Sequence, residues 1–353
     1  MKPPIKIAGR SIGDDFPPYV IAEMSANHNG DLSAALRIIE AAKAVGADAV
    51  KIQTYRPDTI TLNSKLPDFQ IVGGLWGGKT LYELYEWAHT PWEWHAELFE
   101  HARKIGITMF SSPFDTTAVD LLEDLNAPAY KIASFEAVDL PLIRYVASTG
   151  KPMIISTGMA DAEEIQEAID AAYAGGCQQL AVLHCVSGYP APAADYNLRT
   201  IPDMIQRHAI VTGLSDHTLD NTTAIASVAL GANIIEKHFT LDRSAGGPDD
   251  SFSLEPAEFT ALCNGARTAW ESLGRVDYGR KSSERDNVKF RRSLYFVKDL
   301  KAGDVITADA VRSVRPGFGL APKHLDAVIG ARVSADVQAC TPVLATVIAD
   351  RQF

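Results

Sequence analysis

The sequence predicts an α/β protein, a closed (β/α)8 barrel of the TIM type followed by a small β-rich second domain. Three observations carry this. Short, nearly continuous apolar runs alternate strictly with amphipathic segments of helical period from Tyr19 to Leu273, a pattern that gives a parallel sheet covered on both faces. Eight such repeats fit within the 353 residues with some to spare, and eight is the number that closes a barrel of this kind. No GxGxxG follows the first run, which weakens an open, doubly wound sheet as the alternative.

In chain order, the opening MKPPIKIAGRSIGDDFPP lacks the apolar stretch of a signal peptide, and no later run reaches membrane-spanning length. Neither export nor membrane insertion is expected. Strands are predicted over residues 19–24, 49–54, 107–111, 129–133, 152–157, 180–186, 210–214 and 233–239. Helices are predicted between them, among others over 33–45, 91–105, 117–125, 162–174, 221–230 and 256–273, with Gly46, Gly106, Gly150, Gly175, Gly231 and Gly274 as their terminating residues. The connection over 55–90 is far longer than an ordinary strand-to-helix loop and carries Phe69, Trp76, Gly77, Gly78, Tyr82, Tyr85 and Trp87. It reads as a lid or packing arm at the catalytic rim, with a dimer contact equally open. The barrel domain is placed at residues 1–278. Residues 279–293 are polar and without period, hence a linker, and 294–353 show short strands between turn signals, hence a small β domain.

Apolar residues make up 46% and charged residues 22%, as in ordinary globular proteins. A net charge of −11 argues against a nucleic-acid partner, whose phosphates want a basic face. It leaves an anionic substrate open, since a few lysines can dominate one pocket. Cys177, Cys185, Cys263 and Cys340 are scattered, with no paired spacing, and read as reduced thiols of a cytoplasmic protein.

The working residues of such barrels gather at the carboxyl ends of the strands. Here those ends supply Glu23 and then Asn27, His28 and Asn29; Lys51 and Gln53; Ser111 and Ser112; Lys131, Ser134 and Glu136; Ser156 and Thr157; His184, Ser187 and Tyr189; Ser215 and His217; Glu236 and His238. A strand period of two puts Ser215 with His217 on one face, and Glu236 with His238 on one face. A single strand-end histidine is more often structural. Two of them one repeat apart suggest a shared metal ion, and two ligands leave it open to water or substrate. Lysines inside the apolar runs AVKIQT and AYKIAS need a reason. A shared oxyanion, a phosphate or a carboxylate ringed by serine hydroxyls, is one reason, and ion pairs such as Lys51–Glu236 or Lys131–Glu23 are the other. Anion site, metal site and unpaired carboxylates together equip a barrel to join an enol phosphate to an aldehyde.

The runs IAEMSANHNGD (21–31), GADAVKIQT (46–54), FSSPFD (110–115), YKIAS (130–134), ISTGM (155–159), GLSDHT (213–218) and EKHFT (236–240) resemble the sialic acid synthase family. VRPGFGLAPK (314–323) looks like the loop of that family's carboxy-terminal antifreeze-like (SAF) domain, so the resemblance covers nearly the whole chain. Within the family, GLWGGKTLYELYEWAHTPWEWH (74–95) looks most like the pseudaminic acid synthases. The resemblance implies condensation of phosphoenolpyruvate with a 2-acetamido sugar, for that subfamily 2,4-diacetamido-2,4,6-trideoxy-altrose, to a nine-carbon ulosonic acid and phosphate. It implies that His217 and His238 hold a divalent ion, Mn²⁺, Mg²⁺ or possibly Co²⁺, with Glu23 beside it and Glu136 placing water. Lys51, Ser112, Lys131, Ser134, Ser156, Ser187 and Ser215 match phosphoenolpyruvate contacts, and Gln53, Tyr189 and Asp249 match sugar contacts. Arg315 matches an arginine delivered by the other subunit of a domain-swapped homodimer. Ser187 stands where family members commonly have asparagine, and Ser112 where many have threonine, which loosens the expectation of N-acetylmannosamine. N-acetylneuraminate or legionaminic acid synthesis, and a non-catalytic sugar-binding barrel, are the alternative readings.

Overall fold

Alternate residues of a strand face opposite sides of a sheet, and this chain gives its barrel strands two different apolar faces. The computed structural model describes residues 2–349, Arg351 and Phe353. Its contacts divide into two units, residues 1–274 and 275–353. In the first, an antiparallel hairpin, β1 (Ile5–Ile7) and β2 (Arg10–Ile12), precedes β3 (Tyr19–Glu23), β4 (Ala49–Thr54), β5 (Thr108–Pro113), β6 (Tyr130–Ile132), β7 (Met153–Ser156), β8 (Leu180–Cys185), β9 (Val211–Asp216) and β10 (Ile234–His238). Strands β3 to β10 pair in sequence order and β10 closes on β3, all in parallel. The predicted strands fall on the observed ones to within three residues at either end.

The outward face, with Val20, Ala22, Val50, Ile52, Met109, Ile132, Ile155, Val182 and Ile235, packs against the surrounding helices. The helices are α1 (Leu32–Ala44), α2 (Pro57–Ile60) and α3 (Leu81–Ala88), both in the long connection, α4 (His95–Ile105), α5 (Thr116–Asp124), α6 (Leu140–Ala147), α7 (Ala162–Ala174), α8 (Thr200–His208), α9 (Thr222–Ala229) and α10 (Pro256–Leu273). Side-chain caps explain several starts. Asp31, Thr80, Asp115, Asp139 and Asp161 each accept a backbone N–H of the first turn. One expected terminator moves: Gly175 ends α7 in right-handed geometry, and Gly176, at φ +105°, takes the left-handed position. Gly175 answers to space instead, since a Cβ there would lie 2.6 Å from that of Ala147 on the neighbouring α6.

The inward face is graded from end to end. Tyr19, Ile21, Ala49, Phe110, Ala129, Ile154, Ala181, Leu183, Val211 and Ile234 form an apolar plug in the amino-terminal half, and Ile5, Ile7 and Ile12 of the hairpin pack into the same cluster. Continuing the strands by two or four residues turns the lining polar in seven of the eight, at Glu23, Lys51, Ser112, Lys131, Ser156, Ser215 and Glu236, all buried, and β8 continues to Cys185. The hairpin therefore closes the barrel's lower end, and the upper end keeps the chemistry.

The second unit has its own core, Leu294, Phe296, Ile306, Val311, Val328, Val333, Val343 and Ile348. It contains the antiparallel pair β11 (Ser293–Phe296) and β12 (Val311–Val314) and the short α11 (Leu325–Val328). Residues Ser282–Phe290, expected to lack regular structure, form 3-10 turns that bury no side chain.

Candidate active site

The floor of the barrel mouth is a chain of alternating charges. Lys51 Nζ lies 2.8 Å from Glu23 Oε2 and 3.6 Å from Glu236 Oε1, and Lys131 Nζ lies 2.9 Å from the same Glu236 oxygen. The register explains the order, because Glu23 pairs with Lys51 across β3 and β4 and Glu236 pairs with Ser215 across β10 and β9. The carboxylates expected to be unpaired are thus partnered at Glu23 and Glu236; of the two ion pairs considered for the buried lysines, Lys51–Glu236 is present, whereas Lys131 pairs with Glu236 and Glu23 with Lys51. Burial would lift the Glu236 carboxyl, but Lys131 and Lys51 outweigh it and hold Glu236 below its ordinary value. Burial wins at Glu23, which is raised despite Lys51.

Above this floor stand five serine hydroxyls, two of them without partners. Ser156 Oγ and Ser187 Oγ are buried and accept or donate no protein hydrogen bond. Ser112 Oγ accepts from Lys51 Nζ at 3.2 Å, Ser134 Oγ accepts from the Gly158 amide at 3.2 Å, and Ser215 Oγ donates to Glu236 at 3.5 Å. Gly158 makes this convergence possible, since a Cβ there would lie 2.1 Å from Ser187 Oγ and 2.8 Å from Ser134 Oγ. Unsatisfied buried hydroxyls cost free energy unless a ligand completes them. The seven residues expected to grip an oxyanion, two lysines and five serines, thus line the mouth, with Gly158 added.

Glu136, on the 3-10 turn Ser134–Glu136 after β6, is the carboxylate left without a cation. One oxygen is buried without a hydrogen-bond partner. Burial pushes its carboxyl up to about 7, with Asp139 adding to the rise and Lys131 opposing it. A group titrating there can take a proton near neutral pH.

His217 and His238 face each other with ring centroids 5.4 Å apart. The His217 Nδ1–H donates to Val186 O at 2.8 Å, which leaves Nε2 with a free lone pair. His238 Nδ1 is buried without a partner, and burial, followed by the charge of His217 and the nearby lysines, holds His238 well below its ordinary value and neutral. Among the described residues, no three His, Cys, Asp or Glu side chains are grouped as a metal site. Burial would lower His217, but Cys185 and the Val186 carbonyl outweigh it and raise the ring above its ordinary value, so a divalent ion would compete with a proton there. Two imidazole donors in their neutral forms fit such an ion, with its other positions filled by water or substrate, and do not fit a closed structural zinc site.

Beside the histidines opens a cavity of about 200 Å³ with two unlike walls. Ser25, Gln53, Ser134, Glu136, Tyr189, His238 and Asp249 form the polar wall. Gln53 Nε2 donates to Glu23 at 2.8 Å and to Ser25 Oγ at 3.0 Å, and Ser25 in turn donates to Asp249. Tyr189 stacks at 4.4 Å on His217. The other wall is Tyr55, Ile60, Leu84, Tyr85, Ala88 and Phe114, with Trp76 at the edge. Except for Phe114, these come from the long connection, which does sit at the rim. Trp76 Nε1 donates to Pro248 O at 2.9 Å across the mouth.

Several strand-end residues serve the scaffold instead. Ser111 points outward to Ile52 O and Thr54, His184 donates to Tyr196 O, Thr157 to Leu183 O, and Asn27 to Phe239 O and Ser253. His28 accepts from the Gly30 amide and contacts Thr90. Asn29 donates to Asp250. Arg315 lies on the second unit, exposed. Sequence reasoning passed over Ser25, Tyr55, Gly158 and Cys185, whose sulfur lies 3.9 Å from His217 Nδ1. Three of these sit in turns after strands, where no period marks the inward side. Cys185 lies on the inward period of β8 but reads as one more apolar position.

A parallel eight-stranded barrel with an oxyanion cradle, a pair of imidazoles and an elevated carboxyl at its carboxyl-terminal mouth defines a class of enzymes that act on small anionic substrates. Residues 38–278 match the NeuB family and residues 291–348 match the SAF domain. The chain belongs to the NeuB family. It is 45% identical over 322 residues to a pseudaminic acid synthase of Campylobacter jejuni, covering 91% of this chain and 93% of that protein. It is 43% identical to the pseudaminic acid synthase of Helicobacter pylori, covering 93% and 97%. A C. jejuni N,N'-diacetyllegionaminic acid synthase is more distant at 36%, covering 88% and 94%. Among solved structures, the N-acetylneuraminic acid synthetase of Leptospira borgpetersenii with citrate superposes with a TM-score of 0.73 at 30% identity, over 82% of this chain and 97% of that one.

Proposed function

We propose that this chain condenses phosphoenolpyruvate with 2,4-diacetamido-2,4,6-trideoxy-altrose, as a pseudaminic acid synthase. The observation that carries the reading is the two-part site: a buried cradle of lysines and partnerless serine hydroxyls below, and a half-apolar cavity beside two imidazoles above. The phosphate and carboxylate of phosphoenolpyruvate suit the cradle. The sugar suits the cavity, where Gln53, Tyr189 and Asp249 meet its polar groups and the wall of Ile60, Leu84 and Ala88 meets methyl groups. A 6-hydroxyl against that wall would lose its hydrogen bonds, which favours the 6-deoxy sugar over N-acetylmannosamine.

His217 and His238 would hold Mn²⁺, Mg²⁺ or Co²⁺, which supplies polarisation of the sugar's aldehyde. Lys51 and Lys131 hold phosphoenolpyruvate so that its C3 faces the aldehyde carbon. The enol electron pair forms the new carbon–carbon bond as the aldehyde's C=O π pair moves to its oxygen, an alkoxide that is then protonated, and C2 becomes electron-deficient. Glu136 takes a proton from the water that adds at C2. The C2–O bond to phosphorus-bearing oxygen then breaks, and phosphate leaves with that oxygen, held by the serine hydroxyls. Glu23, fixed by Lys51 and Gln53, orients the sugar's carbonyl end.

The reading extends to a cytoplasmic, domain-swapped homodimer in which Arg315 clamps the partner's sugar. Exposure of Arg315 on a loop outside its own unit's core supports the clamp, and no helix among the described residues is long and apolar enough to cross a membrane. The test is phosphate release from phosphoenolpyruvate by chelator-stripped protein with Mn²⁺ restored, offering the trideoxy sugar and N-acetylmannosamine in parallel. Metal-dependent release with the trideoxy sugar is expected; release with N-acetylmannosamine alone would overturn the substrate, and none with either would overturn the synthase.

A further inference from the structure

Behind the two histidines, on the opposite face of the same strands, lies a second buried ion pair that the reaction does not touch. Lys237 sits between Glu236 and His238, and Asp216 between Ser215 and His217. They are register partners across β10 and β9. Lys237 Nζ lies 2.6 Å from Asp216 Oδ2, and the two side chains are 1% and 0% exposed. Thr218 completes the knot: its carbonyl accepts from Lys237 Nζ at 2.6 Å, its hydroxyl contacts the same nitrogen at 3.2 Å, and its amide donates to Asp216 Oδ1 at 2.9 Å. The residue between Asp216 and Thr218 is His217, whose own amide donates to Tyr196 OH at 2.6 Å.

A buried ion pair is weak evidence for stability, because desolvation offsets most of its attraction; its best-attested use is to fix a register. Register matters here more than elsewhere in the barrel. Side chains alternate with a period of two, so a slip of one residue by either strand would turn its pair, Ser215 with His217 or Glu236 with His238, away from the mouth and away from the other histidine. Strands β9 and β10 pair over three residue pairs, the last being Lys237 with Asp216. Beyond it His217 lies one residue past the end of β9, and His238 is the last residue of β10, held on its other side by its pairing with Glu23 of β3. We infer that the Asp216–Lys237–Thr218 knot is a positioning device that sets the separation of His217 and His238 for a shared divalent ion. The inference rests on the metal reading above.

The test uses the full chain and Mn²⁺ as probe, measured by electron paramagnetic resonance, with phosphoenolpyruvate affinity measured separately by calorimetry. In the double variant Asp216→Leu with Lys237→Met, apolar groups of similar volume replace the pair, so a merely structural role is filled and Mn²⁺ affinity should stay as in the parent. A positioning role predicts about tenfold weaker Mn²⁺ binding or more, with phosphoenolpyruvate affinity unchanged. Thr218→Val keeps both charges and removes one tie, and should weaken Mn²⁺ in the same direction by a smaller factor; it decides the matter if the double variant does not fold. Parent-like Mn²⁺ affinity in the folded variants, or an equal loss for phosphoenolpyruvate, would overturn the inference. A parent chain that binds no Mn²⁺ would instead remove the metal reading, and the knot's role with it.

Discussion

Glu136 is the residue whose environment most directly predicts a behaviour. Its folded value of about 7 lies above that of a free carboxyl, so folding favours the protonated form. The stabilisation this gives is complete below the free carboxyl's range, near pH 4, and is lost as pH rises through about 7. Glu136→Gln should therefore be the more stable protein at pH 8, by on the order of 3 kcal/mol at most, and no more stable at pH 4, as urea unfolding at the two values would show. As the base for water it must be ionised, so kcat/KM should climb with pH up to about 7 and then level. The glutamine variant should lose that limb and about 100-fold or more of the rate. The polar residues on the strands themselves could be read from the sequence because alternation tells inward from outward. Ser111 and His184 were the price of listing every strand-end residue without that filter. Ser25 and Gly158 lie beyond the strand ends, where direction depends on turn geometry that the chain does not spell out.

At the scale of elements, the long connection supplies most of the cavity's apolar wall through α2 and α3. The start of α3 is secured by a reciprocal cap, with Thr80 and Glu83 each accepting the other's amide. This fixes Leu84, which is buried and lines the cavity. Leu84→Ser should add a hydrogen-bonding group at a position where the wall presents only hydrocarbon. The expected outcome is a fall of about tenfold in the preference, measured as a ratio of kcat/KM, for the 6-deoxy sugar over its 6-hydroxy counterpart, with the KM for phosphoenolpyruvate unmoved. An unchanged ratio would remove the wall from specificity. The barrel strands were legible because each is a four- to six-residue apolar run between turn signals; even β6, reduced to Tyr130–Ile132, kept that signature. The hairpin was not, because two three-residue strands of mixed polarity are too short to show a period. Helices α6 and α8 have no predicted range, although Gly150 is predicted to terminate a helix ahead of β7.

For the molecule as a whole, two units with separate cores mean that the second can be altered without unfolding the first. Arg315→Ala should leave thermal unfolding of the barrel in place and raise the sugar's KM more than that of phosphoenolpyruvate. Unchanged sugar kinetics would end the clamp reading. The sequence places the end of the barrel domain at residue 278, before a polar linker, whereas the contacts divide the chain between Gly274 and Arg275. What the sequence could not show was how charge would be shared inside the mouth, because a lysine's partner is decided by strand register across the sheet and not by neighbours along the chain. The hairpin under the barrel has a consequence for traffic. With Ile5, Ile7 and Ile12 stoppering one end, the vessel has a single doorway. Lys51 and Lys131 lie deeper along their strands than Gln53 and Glu136, which line the cavity above them. Whatever occupies the lysines must enter before the cavity fills and can leave only after it empties, so the architecture imposes a queue: first in, last out.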